Sequence, residues 1–306
     1  MIFEKIKSTM QIFDKALNYI KKPAINSNLL LESEKHFRDL ASNYYVKAYS
    51  QLSALNNHSN WLRKAEAKIY SQHGEDGVIM HIFSKVGTKS KKFIEFGFGD
   101  GKECNSANLS LNFGWSGLLM DCADDAVSKA NQFYSKRFQS KKTRIAIKKE
   151  YITKENINNI LTYNNFTNEV DLLSIDIDGN DYWIWKEINV TCPRLIVIEY
   201  NATFGSKLSV TVPYDPKFNR HKKHSSGWYH GASLKALEKL GKQKGYSLVG
   251  CESFGVNAFF VREDIATGKF KAASAKDAYF PHKRRQKKCS TKKQFEKIKN
   301  MTLISV

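Results

Sequence analysis

Short apolar runs, each stopped by an acidic residue, recur through the middle of the chain. Phe93-Ile94 runs into Glu95, Leu118-Leu119-Met120 into Asp121, the run from Leu172 to Ile175 into Asp176, and Leu195-Ile196-Val197-Ile198 into Glu199. Such runs, with little polar alternation, predict strands buried on both faces, as in a parallel sheet. Between and around them the patterning predicts helices near 78–86, 105–113, 124–137, 155–163, 182–188 and 231–244. A further strand is predicted near 143–147. The runs 246–251 and 256–261, joined by a short 252–255 turn, predict an antiparallel hairpin. Six alternating β/α steps closed by that hairpin predict an α/β, Rossmann-like fold: a seven-stranded, mostly parallel sheet with a C-terminal antiparallel hairpin.

The ends of the chain follow other patterns. Ile2, Ile6, Met10, Phe13, Leu17 and Ile20 step by three and four, with lysines on the other faces and Pro23 closing the segment. A basic amphipathic helix of this kind either packs on its own domain or lies on a membrane surface. Stretches at 29–55 and 61–70 also have helical character. Residues 1–69 are therefore expected to form an N-terminal helical extension, 70–262 the α/β domain, and 263–306 a basic C-terminal tail.

Candidate chemistry gathers at the head of the first strand, in Glu95-Phe96-Gly97-Phe98-Gly99-Asp100-Gly101. Glycine at every second position marks a loop whose backbone approaches a ligand closely, because glycine has no Cβ and tolerates φ > 0. A dinucleotide fingerprint needs G-x-G-x-x-G, and here the third glycine arrives one residue early. Glu95, Asp100, Asp121, Asp176 and Asp178 all fall near the same rim, and carboxylates there oppose a pyrophosphate. A ligand with an amino group, a sulfonium and ribose hydroxyls suits that rim, and S-adenosylmethionine (SAM) is such a ligand. Asp121, about two dozen residues after the first glycine, is placed to accept both ribose hydroxyl hydrogen bonds. The alternative role, capping the helix at 124–137, is better met by Asp124 and Asp125.

A second constellation follows. The strand ending at Ile175 delivers Asp176 and Asp178, then Gly179 and Asp181, and the next strand ends in Glu199-Tyr200-Asn201. Open α/β sheets bind ligands at this edge. The oxygens of Asp176, Glu199 and Asn201 are of the kind Mg²⁺ takes. In the metal-free alternative, Asp176 and Asp178 face the amino group of the ligand or cap a helix. Residues 202–230 form a long segment rich in Lys, His, Ser and Gly, with Tyr214, Trp228 and Tyr229. Long loops in a compact domain are usually functional, and these aromatics suit stacking on sugar rings. His230, just ahead of the last helix, is the best single candidate for a general base, although a lone histidine is more often structural. His73 reads as a loop histidine.

Bulk composition narrows compartment and partners. The 306 residues are 42% hydrophobic, enough for a core. Five scattered cysteines, an odd number with no C-x-x-C pair, suit a reducing cytosol and argue against a structural zinc or a disulfide framework. No apolar run approaches the length of about 18 residues that a membrane span needs, and the N-terminus lacks a signal-peptide pattern. A cytoplasmic protein is expected, peripheral at the inner face of the membrane if the first helix lies on lipid. The formal charge is +19, and residues 263–306 hold twelve Lys/Arg against four Asp/Glu. Nucleic acid, anionic lipid, an acidic glycan or a phosphate-bearing substrate would each fit, as would a solvated, Lys-rich surface.

Taken in order, Ser71-Gln72…Gly74-Glu75-Asp76, Glu95-x-Gly97-x-Gly99-x-Gly101, Asn105-Ser106, Gly114-Trp115-x-Gly117-Leu118-Leu119-x-Asp121 and Ile175-Asp176-Ile177-Asp178-Gly179 resemble the FkbM-like branch of class I SAM-dependent methyltransferases. The resemblance spans roughly residues 70–262. It implies that Glu95, Gly97, Gly99 and Gly101 line the methionine end of SAM, that Asn105 sits near its carboxylate, and that Asp121 holds the ribose. Asp178 stands where the family pattern has Glu and keeps the acid chemistry, so it joins His230 as a candidate catalytic residue. The acceptor set at Asp176, Glu199 and Asn201 resembles that of metal-dependent O-methyltransferases. The implied reaction is O-methylation of a hydroxyl on a sugar, glycan or glycan precursor, an anionic one included. Two other functions fit the sequence: an RNA methyltransferase using Lys283-Arg284-Arg285-Gln286-Lys287-Lys288, and a non-catalytic SAM-fold protein docking to a membrane or glycan-assembly complex.

Overall fold

Alternate residues of each apolar run point to opposite sides of one sheet, and both sides are covered. In the computed structural model, which describes residues 61–138 and 145–306, Ile94, Phe96, Leu118, Met120, Leu173 and Ile175 enter one core cluster. Phe93, Leu119, Leu172, Leu195 and Val197 enter the other. This double burial is why the runs are continuously apolar. Trp185 shows how closely one layer packs. It is fully buried, with its ring 4.8 Å from Phe260 and 6.2 Å from Tyr246, and truncating such a residue typically costs roughly 3–5 kcal/mol.

The strands are β1 (Lys92–Phe96), β2 (Ser116–Asp121), β3 (Ile145–Lys149), β4 (Leu172–Ile175), β5 (Leu195–Glu199), β6 (Val210–Thr211), β7 (Tyr246–Cys251), β8 (Asn257–Arg262) and β9 (Ile304–Ser305). Seven of them form one sheet in the order β3-β2-β1-β4-β5-β8-β7. β1 to β5 pair in parallel, and β8 runs antiparallel to both β5 and β7. The expected α/β fold, a Rossmann-like seven-stranded sheet with its C-terminal hairpin, is the fold observed. The chain lays β2 and β3 on one side of β1 and then returns to lay β4 and β5 on the other. The crevice between the ends of β1 and β4 is the switch point where such sheets take ligands.

The flanks differ from expectation. The helix predicted at 61–70 ends at Ala65, because the Asp76 carboxylate draws the chain back by accepting the N–H groups of Ile69, Tyr70 and Ser71. Leu62 and Ala65 are buried, and Glu66 accepts from Ser253 N–H and Oγ, so the domain begins before residue 70. At the other end, residues 263–306 do not form a separate tail. β9 pairs antiparallel with β6, the helix Thr291–Ile298 packs on residues 202–204 through Phe295 and Phe204, and Arg285 is buried. The apolar stripe at 2–22 and the stretch at 29–55 lie outside the described residues. Among the described residues no helix is long and apolar enough to cross a membrane.

Candidate active site

The head of β1 and the head of β4 touch through Gly97. A Cβ there would lie 1.6 Å from the carbonyl oxygen of Asp176, and φ is +71°, so only glycine fits. Glu95, one step back, is buried. Its carboxylate accepts from the N–H of Asn105 (2.8 Å), the N–H of Ser106 (2.9 Å) and the Ser106 hydroxyl. It thereby fixes the start of the helix Ala107–Phe113. Burial raises its pKa, against these hydrogen bonds. Asn105 donates its side-chain N–H to Ser174 Oγ at 3.0 Å, tying the loop to β4. Gly99 donates its N–H to Asp121 Oδ2 at 3.2 Å, while Asp121 Oδ1 accepts from Ala123 N–H at 2.9 Å. Gly101 turns the other way. Its missing Cβ would press on Ala130 of the helix Asp124–Arg137, so its place is in packing and not, as expected, along the ligand wall.

Over these strand ends lie two adjoining cavity lobes that share Gln72, Gly97, Gly99, Asp176 and Val256. One lobe, about 490 Å³, runs along Phe98, Asp100, Lys102 and Asn105, with Glu95 in its wall. The other, about 470 Å³, has Asp121, Cys122, Tyr151 and Ile152 on one side. Asp178, Glu199, Arg220, Arg284 and Arg285 line the opposite side.

Asp176 faces both lobes, and no donor reaches its carboxylate among the described residues. Burial pushes its pKa well above the usual range, and the charges of Glu199, Asp178 and Asp181 push the same way. Asp178 has φ +58°, a strained conformation for a residue with a side chain, and its carboxylate meets the Arg220 guanidinium. Asp181 closes the turn by accepting from Ile177 N–H (2.8 Å) and Gly179 N–H (2.9 Å). Burial and the nearby Glu199 charge hold its pKa at about 7.

The predicted base and one predicted metal ligand are placed differently from expectation. His230 is fully buried and does not line the cavity. Its Nε2 lies 2.9 Å from Arg285 Nη2 and its Nδ1 3.4 Å from Glu199 Oε2. Arginine only donates, so Nε2 is the acceptor and Nδ1 carries the proton. Burial further lowers the His230 pKa. A histidine with its accepting nitrogen already bonded to a guanidinium does not take a proton from an acceptor in the cavity, and the expectation of His230 as general base is corrected.

Asn201 is likewise committed. Its Nδ2 donates to the carbonyls of Trp228 and His230, and its Oδ1 accepts from Thr203 N–H and Arg285 Nη1. No oxygen of Asn201 is left for a cation. Carboxylate oxygens of Asp176, Asp181 and Glu199 do lie within 4.8 Å of one another, as do ligand atoms of Asp178, Glu199 and His230. Two guanidinium groups, Arg220 and Arg285, supply the positive charge beside them. Burial alone would raise the Glu199 carboxyl, but His230, Arg220 and Arg285 bring it down to about 2. The residues present therefore do not fit Mg²⁺ held by Asp176, Glu199 and Asn201.

The loop aromatics are also elsewhere. Trp228 and Tyr229 are buried in a satellite core with Phe204 and Ile298, and Tyr214 bonds Glu155. From residues 202–230 only Phe218 and Arg220 reach the cavity. Arg220 is a functional-site residue that the sequence did not single out, and Arg284 and Arg285, named there only as part of a basic run suited to RNA, line the cavity instead.

No protein-family model matches the chain, and no curated protein matches it by sequence. Among solved structures it is similar to the O-methyltransferase from Bacillus cereus in complex with S-adenosylhomocysteine (SAH): 13% identity, 71% of this chain and 90% of that one, TM-score 0.41. It is similar also to the magnesium protoporphyrin IX methyltransferase from Synechocystis PCC 6803 with bound SAM: 12% identity, 61% and 77% covered, TM-score 0.40. A third is a SAM-dependent methyltransferase from Clostridium acetobutylicum: 12% identity, 69% and 97% covered, TM-score 0.39. The likeness is one of fold.

Proposed function

We propose that this chain is a SAM-dependent methyltransferase that methylates a hydroxyl oxygen, and that the acceptor is a sugar or glycan precursor. One observation carries the cofactor: Gly99, where a Cβ would meet nothing within 4 Å, lines both lobes and donates its N–H to Asp121, which lines the cavity from the tip of β2. Asp121 would hold ribose hydroxyls, and the loop from Phe98 to Asn105 would flank the amino-acid end. When bound, SAM supplies a methyl group made electrophilic by its sulfonium.

The chain's own residues then have two tasks. Asp176, at the join of the two lobes, takes the acceptor O–H proton on its carboxylate as the O–CH₃ bond forms and the S–CH₃ bond breaks. Its raised pKa suits it for this, since an ordinary carboxylate is a weak base. Arg220 and Arg285 brace Asp178 and the end of β5, and so fix the acceptor wall. Positioning of this kind is worth roughly 7–11 kcal/mol in the most favourable cases. The polar acceptor wall favours a hydrophilic substrate over a flat apolar ring. The ordered motifs of the sequence support the narrower reading, the FkbM-like branch. Titration with SAH by calorimetry and incubation with labelled SAM plus extracted nucleotide sugars or cell-surface glycan test the proposal. Binding of SAH and transfer of label to one such fraction are expected. No label in any fraction removes the sugar reading, and no SAH binding removes the cofactor.

A further inference from the structure

The side of the second lobe that carries Arg220, Arg284 and Arg285 also carries Asp178 and Glu199, and among the described residues Arg284 is the one of these three guanidinium groups with neither a hydrogen bond nor an ion pair. Arg220 commits Nη1 to Asp178 and Nε to the Gly227 carbonyl at 3.0 Å. Arg285 commits Nη1 to Asn201 and Thr203 and Nη2 to His230. Arg284 lines the same wall, and among the described residues no carboxylate lies within ion-pairing reach of it. Arg284 is exposed and lies beside an aromatic ring. Its guanidinium carbon sits 5.9 Å from the centre of the Phe254 ring, and Lys283 Nζ sits 5.7 Å from the same ring. Phe254 is in turn stacked on His73, with centroids 3.9 Å apart and planes 4° from parallel. His282 stands at 5.7 Å from Phe254. Burial holds both histidines below their usual pKa, so at neutral pH each offers a ring N–H without adding charge.

Resting on the methyl-acceptor reading above, we infer that the acceptor carries an anionic group, a carboxylate or phosphate on a sugar, and that Arg284 binds it from the shelf formed by His73, Phe254 and His282. The opposite wall gives the site a direction. Asp121, across the lobe, disfavours an anion beside it, so the anion settles on Arg284 while a hydroxyl of the same molecule is turned toward Asp176 at the join of the lobes. Charge-assisted bonds from arginine to such groups are among the stronger polar contacts.

The test is calorimetric titration of wild type and Arg284→Gln, with and without SAH, using D-glucuronate, glucose 1-phosphate and neutral methyl glucoside as probes. At least one anionic probe is expected to bind wild type about tenfold or more tighter than the neutral one, a difference of about 1.4 kcal/mol. In Arg284→Gln that preference falls to about twofold or less, while the SAH affinity stays unchanged. Glucuronate against glucose 1-phosphate separates a carboxylate source from a phosphate source. Equal binding of neutral and anionic probes, no binding of either anion at about 10 mM, or an unchanged preference in Arg284→Gln overturns the inference. Failure to bind SAH with the anion preference intact would remove the cofactor reading and leave the anion site standing.

Discussion

Arg285 Nη2 donates to His230 Nε2 across 2.9 Å, joining the C-terminal segment to the residue that ends the long 202–230 loop. The same guanidinium donates to Asn201 Oδ1 at 2.8 Å and Thr203 Oγ1 at 3.0 Å. Burial lowers its pKa to about 10, so it remains cationic at neutral pH. One side chain from a segment that looks like a tail therefore sets the tautomer of His230, completes Asn201 and offsets the charge of Glu199.

Removing it should be costly. Arg285→Ala leaves Asn201 Oδ1 without its guanidinium donor, His230 Nε2 with none, and Glu199 with less positive charge around it, all in a buried setting. Losses of this type run to about 3 kcal/mol. Urea denaturation should show a midpoint shift with little change in slope, and Arg285→Lys should recover part of it. A midpoint identical to wild type would mean that the segment is only a cover.

Asp121 should separate cofactor binding from folding. Its carboxylate is half-exposed and accepts two loop N–H groups at 2.9 and 3.2 Å, so Asp121→Ala removes the carboxylate proposed to hold the ribose and loosens the Gly99 turn. SAH affinity is expected to fall at least tenfold, about 1.4 kcal/mol or more. The thermal midpoint should move by a few degrees at most. Calorimetry and a melting curve on the same sample check both halves.

The parts legible in the sequence are those fixed by local periodicity. β1, β2, β4 and β5 announced themselves because each is buried on both faces, and the glycine loop and Asp121 followed from where those strands end. What the pattern could not carry is long-range. Lys283-Arg284-Arg285 reads as a uniform charge run, and Arg285 turns inward because of partners distant in sequence, Asn201, Thr203 and His230. Strand ends locate Asn201 at the sheet edge and His230 at the end of the long loop, yet Arg285 determines that neither is free. β6 and β9 are two residues each, too short for any alternation to register. Gly101 shows the same limit: the spacing located the loop but not which of its glycines faces the cavity.

Chelation should be without effect. Asn201 has no free oxygen, and Arg220 and Arg285 already stand beside the carboxylates. Initial rates of methyl transfer with excess EDTA should match those without it within about twofold, while a metal-bridged acceptor oxygen would lose most of the several kcal/mol that a Lewis acid provides. A rate that collapses with EDTA and returns with Mg²⁺ would reverse the assignment.

Asp176 provides the most searching test, because activity and stability should move in opposite directions. Acting as the base, it must be ionised, so the acid limb of kcat/KM should lie above the ordinary aspartate value near 4. Arg220 is the nearby cation that favours the ionised form, so Arg220→Gln should push that limb to still higher pH. Asp176→Asn should lower transfer by about a hundredfold to ten-thousandfold with SAH binding retained. The folded pKa of Asp176 is raised, so its contribution to stability is greatest below the unfolded value and is lost as pH rises through the folded one. Asp176→Asn should accordingly melt higher than wild type at pH 8 and lose that advantage at pH 4. If the variant is active, or is less stable at pH 8, Asp176 is a structural carboxylate and the base must be sought elsewhere in the lobe.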